Sequence, residues 1–157
     1  MQPMQPTTIA SLVATGGFCA AASFIVVSRF YGLLGPVPVT VAITLWAMAV
    51  LCVILAYRVK DRIDENRIGM DRSQLNPLSA ALFMVIGKAS GWTGSIFGGV
   101  YLGMAVYVVS QIRQLSAAAE EAPVVIAAAL GGMAMSAAGV WLERNCSVPP
   151  PTDGEPA

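Results

Sequence analysis

Four long apolar stretches, divided by short polar or charged segments, set the pattern of this chain. The first, Ile9 to Ser28, carries no charge and ends at Arg29-Phe30-Tyr31, a cation and two aromatics suited to a membrane interface. The second runs from Val39 to Tyr57 behind Gly35-Pro36-Val37-Pro38, where proline occupies a helix start without losing a needed N–H. The third, Pro77 to Ser110, opens with Asn76 as cap and Pro77 as first helical residue, and Lys88 interrupts its apolar run. Ala89 to Val109 is long enough to span by itself, so 89–109 is the expected membrane part. Leu78 to Gly87 is then a helical extension lying against headgroups or another part of the protein. The fourth, Pro123 to Leu142, follows Glu120 and Glu121, which favour a helix N-terminus, and closes on Trp141, Glu143 and Arg144.

About 20 residues at roughly 1.5 Å each cross a hydrocarbon core of about 30 Å, and each stretch meets that length. None alternates apolar with polar as a barrel strand does, and backbone groups in lipid must be satisfied within their own segment, so helices follow. The expected fold is all-α: a polytopic membrane protein, a four-transmembrane-helix bundle forming one domain over residues 1–146. A charged loop covers 58–76, and the tail 147–157, SVPPPTDGEPA, is expected to be disordered because it has too little apolar surface to bury. About ten residues separate the first two spans, which predicts that they pack as an antiparallel hairpin. Ala20-Ala21-Ala22 has the look of a signal cleavage site, but no positive segment precedes it and the apolar run continues through Val27, so the first stretch is kept as a spanning helix.

Composition agrees: 56% of residues are hydrophobic and 11% charged, against about 25% charged in a soluble domain. Nine of the eighteen charges lie between Arg58 and Arg72. Within that loop Lys60 with Asp64, and Arg67 with Asp71, have the i, i+4 spacing that would carry the second helix onward, with Gly69 as a stop. With that loop in the cytoplasm, seven cations (Arg58, Lys60, Arg62, Arg67, Arg72, Lys88, Arg144) lie inside and two (Arg29, Arg113) outside. The positive-inside rule therefore predicts a plasma-membrane protein with both termini cytoplasmic. A formal net charge of zero offers no field for nucleic acid.

Small residues recur at helical spacing. Gly87, Gly91, Ser95, Gly99 and Gly103 lie strictly four apart, a continuous seam on the third helix. The fourth helix offers Ala128, Gly132 and Ser136, and Gly131 with Gly139; the first offers Gly16 with Ala20 and Gly17 with Ala21. Such series let helix backbones approach closely in lipid, within one chain or between copies.

Chemistry is sparse. There is no histidine, hence no usual general base or commonest metal ligand. Cys19, Cys52 and Cys146 form no CxxC and read as apolar fillers. No catalytic, cofactor-binding or metal-ligating set is expected, and no enzyme. Lys88 is the one charge inside an apolar segment, with two readings: its ammonium snorkels to cytoplasmic phosphates, or with Ser90 and Thr93 it forms a polar contact for an anion or substrate. Trp46 reads as a packing residue.

The run Gly87-Lys88-Ala89-Ser90-Gly91, followed by Val140-Trp141-Leu142-Glu143-Arg144-Asn145-Cys146 and then prolines and acids, resembles an actinobacterial family of small integral membrane proteins known only as a domain of unknown function. The likeness covers most of the chain. It implies four spans and, for some members, neighbouring folate-biosynthesis genes, but no catalytic residues. Asn76 stands where that pattern leads one to expect an acid, and Leu78 to Gly87 lacks arginine.

The functional expectation is a non-enzymatic accessory or assembly partner of an envelope complex, its partners being the bilayer and another membrane protein or a second copy. The alternative is a small-molecule transporter or transporter subunit with a cytoplasmic-side site at Lys88. A channel ranks behind both, since a polar pore needs more intramembrane polar groups than these spans supply. The orientation is directly testable: a fluorescent protein inserted after Arg72 is expected to mature and an alkaline phosphatase inserted there to stay inactive, whereas active phosphatase would invert the topology.

Overall fold

The computed structural model describes residues 7–65 and 77–146. Four helices account for nearly all of them: α1 (Ile9–Phe30), continued by a single 3-10 turn at Tyr31–Leu33, α2 (Val39–Glu65), α3 (Pro77–Gln111) and α4 (Ser116–Cys146). Each is long and apolar enough to cross a membrane, and there is no strand among the described residues.

Two helices exceed their apolar cores. α2 continues past Tyr57 through Arg58 and Lys60 to Glu65. α4 begins at Ser116, so Pro123 lies inside the helix rather than at its start. Ala117, Ala118 and Ala119 supply the strongest helix propensity just upstream of that proline. Its missing N–H leaves the Ala119 carbonyl without its usual partner, on the exposed side of the helix. The Arg67–Asp71 pairing, the stop at Gly69 and the tail 147–157 lie outside the described residues, as does the side chain of Asp64.

The helices form a row in the order α1, α3, α4, α2. α3 packs most extensively on α4, α1 on α3 and α2 on α4, while α2 only brushes α3. Among the described residues α1 and α2 do not meet, so the expected hairpin is replaced by two helices on opposite edges. The connection can reach across because, beyond the 3-10 turn, residues 34–38 can cover up to about 3.3 Å each when extended. A short loop limits how far apart helix ends lie; it does not choose neighbours.

Glycine chooses them. A methyl on Gly87 would stand 2.8 Å from the Glu143 nitrogen and 3.0 Å from the Gly139 oxygen. One on Gly94 would run into the Ser136 backbone, and one on Gly98 would lie 3.0 Å from the Met133 nitrogen. The same addition at Gly99 strikes the Gly16 carbonyl, and at Gly103 the Ala20 carbonyl. The predicted seam is thus shared between two neighbours: its Gly87–Gly91 end faces α4, and Ser95, Gly99 and Gly103 face α1. At 3.6 residues per turn a four-residue step advances about 40°, so four steps rotate the stripe by about 160°. Gly94 and Gly98 continue the α4 face in its place.

Interhelical hydrogen bonds follow the same contacts. Ser95 Oγ donates to the Leu12 carbonyl at 2.6 Å and Ser23 Oγ to that of Val100 at 2.8 Å, both joining α1 to α3. Ser136 Oγ donates to the Gly91 carbonyl at 3.0 Å, joining α4 to α3. On the other side α2 buries Ala42, Leu45, Ala49, Cys52, Ala56 and Val59, a spacing of three and four that forms a coiled-coil-like seam. It packs on Ala128, Met135 and Leu142 of α4. Gly131 leaves room for the Trp46 indole, whose Nε1 donates to the Ala127 carbonyl at 3.0 Å.

Replacing Gly99 by Leu is expected to lower unfolding stability in detergent by about 1–3 kcal/mol or more through forced separation of α1 and α3. Gly17→Leu, whose added carbon meets nothing within 4 Å, is expected to stay within about 0.5 kcal/mol of the parent. Equal effects in thermal or denaturant unfolding would remove the close-approach explanation.

Candidate functional site

Lys88, Ser90 and Thr93 all lie on α3, but helix geometry distributes them around it. At about 100° per residue, Ser90 and Thr93 sit roughly 160° and 140° from Lys88, on the opposite side. Ser90 is buried, whereas Lys88 is half-buried and already engaged with another group of the protein. The three do not converge on one contact. Of the small residues, Gly87, Gly91, Gly132 and Ser136 belong to the α3–α4 contact, and Ser95, Gly99 and Gly103 to the α1–α3 contact.

A groove does form where α1 and α4 flank α3. Its volume is about 610 Å³, its floor is Gly94, Ser95, Gly98 and Gly99, and it opens sideways. Leu12, Val13 and Gly17 make one wall, and Met133, Ala137 and Val140 the other. Its two hydroxyls, Ser95 and Ser136, are committed to the backbone carbonyls already described. Polarity is concentrated at one mouth, where Arg144 and Trp141 stand beside Ile9 at the beginning of α1.

Polar contacts hold α1 against α4 at both ends of the molecule. At the groove mouth, Thr7 donates to Glu143 Oε1 through both its backbone N–H and its hydroxyl, each at 2.9 Å. Glu143 is 2% exposed, and these bonds compensate the burial of its carboxylate. At the far end the Tyr31 hydroxyl donates to Glu121 Oε2 at 3.1 Å, with the Tyr31 and Tyr107 rings 5.3 Å apart and Phe24 edge-on to Tyr107. Between these clamps α1 and α4 stand apart, which leaves the groove open. The carboxylates were visible in the sequence only as helix-end charges; their donors lie 136 and 90 residues away along the chain.

Cys19, Cys52 and Cys146 are free thiols, with Cys52 fully buried in the α2 seam. Among the described residues no three His, Cys, Asp or Glu gather as a metal site.

The family model described as "Protein of unknown function (DUF3180)" matches residues 12–150, from the first turn of α1 to just past α4. The chain belongs to that family. No curated protein and no solved structure matches it. The DUF3180 match takes in both walls of the groove, the Gly-rich α3 and the Glu143–Arg144 pair.

Removing the clamp at the groove mouth should loosen α1 locally. Glu143→Gln is expected to speed amide exchange in the first turn of α1 by about tenfold or more, because a hydrogen bond to a charged group contributes about 1.5–3 kcal/mol. Peptides covering Ser95 to Gly103 should exchange as in the parent. Unchanged exchange at Ile9 to Leu12 would show that the clamp does not hold the helix.

Proposed function

We propose that this DUF3180 protein is a non-enzymatic accessory or assembly partner of an envelope complex, seated in the plasma membrane with both termini in the cytoplasm. The observation that carries this reading is that three hydroxyls set between helices, those of Ser23, Ser95 and Ser136, each donate to a backbone carbonyl of a neighbouring helix. They build a scaffold, where a transport path would need polar groups facing a passage. Glu121 and Glu143 likewise serve to tie α1 to α4.

The row leaves partner surfaces at its edges. α1 packs on α3 and α2 almost wholly on α4, and their outer faces carry exposed Phe18, Ile25, Ile43 and Val50. Lipid or a partner helix can cover such faces equally well. The contacts place the start of α1, the end of α2, the start of α3 and the end of α4 on one side. Arg58, Lys60, Lys88 and Arg144 gather there, while Arg29 and Arg113 lie at the other end, which supports assigning the first side to the cytoplasm.

Affinity purification of the chain from its native membranes in mild detergent tests the proposal. A membrane protein recovered in stoichiometric amount, and lost on substituting Phe18 or Ile25 on α1 by Ala, is the expected result. A monodisperse protein without a partner that drives solute uptake in liposomes, and loses it in Lys88→Met, would replace this reading with the transporter one.

A further inference from the structure

The groove between α1 and α4 has dimensions that suit a particular occupant. α4 covers Gly98 and α1 covers Gly99, and consecutive residues point about 100° apart around a helix. A helix is roughly 10 Å across, so a length of it matching the groove, about 16 Å, would occupy about twice the groove's 610 Å³. A further helix would rest on the rim without reaching the glycine floor. A single hydrocarbon chain fits between the walls.

Depth points the same way. From Arg144 to Met133 the wall on α4 runs about 16 Å, roughly half of a 30 Å hydrocarbon core and so the depth of one leaflet. The interior is apolar, and at the headgroup end Arg144, which also contacts another group of the protein, stands beside Trp141, an aromatic suited to that level. The neighbouring Glu143 carboxylate is buried and bound by Thr7. We infer that this groove binds one acyl chain of an acidic phospholipid from the leaflet at the α4 C-terminal side, with Arg144 holding the lipid phosphate at its mouth. The second acyl chain stays in the bulk leaflet. Gly17 and Ala137 are the wall positions that keep the slot wide enough; a carbon added at Gly17 enters open space, so the fold does not require glycine there. This inference goes beyond the partner reading and does not depend on it.

The test is native mass spectrometry of the full chain in mild detergent, titrated with dioleoylphosphatidylglycerol or dioleoylphosphatidylcholine. One phosphatidylglycerol is expected to be retained per chain, at least tenfold more strongly than phosphatidylcholine. Gly17→Leu, which fills the slot from α1, and Ala137→Phe, which fills it from α4, are each expected to reduce retention at least tenfold while circular dichroism and elution volume stay unchanged. Arg144→Gln is expected to remove the preference for the acidic lipid. Should Gly17→Leu fail to fold, Ala137→Phe decides alone. Equal retention of the two lipids by the parent, or undiminished phosphatidylglycerol retention in the folded slot-filling variants, overturns the inference. So does quantitative disulfide formation between two Gly17→Cys chains, which would assign the groove to a dimer contact.

Discussion

Contact between backbones at the glycines of α3 is the constraint from which the arrangement follows. In lipid the exposed and buried faces of a helix are about equally apolar, so burying hydrocarbon does little to select neighbours. Close approach does select them, because dispersion rises steeply as surfaces meet and a lost fraction of an ångström forfeits much of it. Where Gly94 and Gly98 admit α4, and Gly99 and Gly103 admit α1, other side chains would force separation. α3 therefore stands between two helices, and the remaining span, α2, attaches through its own seam to the outer side of α4.

The row has consequences that a closed ring of four helices would not. Its edge helices have free flanks, and α1 and α4, seated on adjacent faces of α3, leave a lateral groove between them. Because the packing glycines lie at the floor, the groove reaches the α3 backbone while its walls remain apolar. Apart from the Ser95 and Ser136 hydroxyls, which are bound to backbone carbonyls, its polar groups stand at its mouth, where Thr7 compensates the burial of Glu143 beside Arg144.

The four helices were legible in the sequence because span length and charge exclusion are local properties, and the small-residue spacing marked α3 as a helix able to make close contacts, without saying with which neighbours. The seam was misread as one stripe on one face, since a period of four outruns the 3.6-residue turn; Gly94 and Gly98, each one residue before a position of that register, complete the α4 face. The α2 seam from Ala42 to Val59 was present as a three-four spacing but hidden in a helix that is apolar all round. Loop length suggested the wrong neighbour for α1. The Thr7–Glu143 and Tyr31–Glu121 clamps join residues from distant parts of the chain, and no local pattern reports them. Lys88 drew attention as an intramembrane charge, yet Ser90 and Thr93 belong to other faces of the same helix, as their spacing alone could have told.

Disulfide trapping in native membranes measures the helix order most directly. In a chain freed of Cys19, Cys52 and Cys146, cysteines at positions 16 and 95 should link readily, because a Cβ at Gly16 would stand 3.1 Å from the Ser95 Oγ, close to the reach of a disulfide. A cysteine at 16 paired with each of positions 43–50 on α2 should not. Linkage of position 16 to α2 in place of position 95 would contradict the row and, with it, the role given to the glycines of α3.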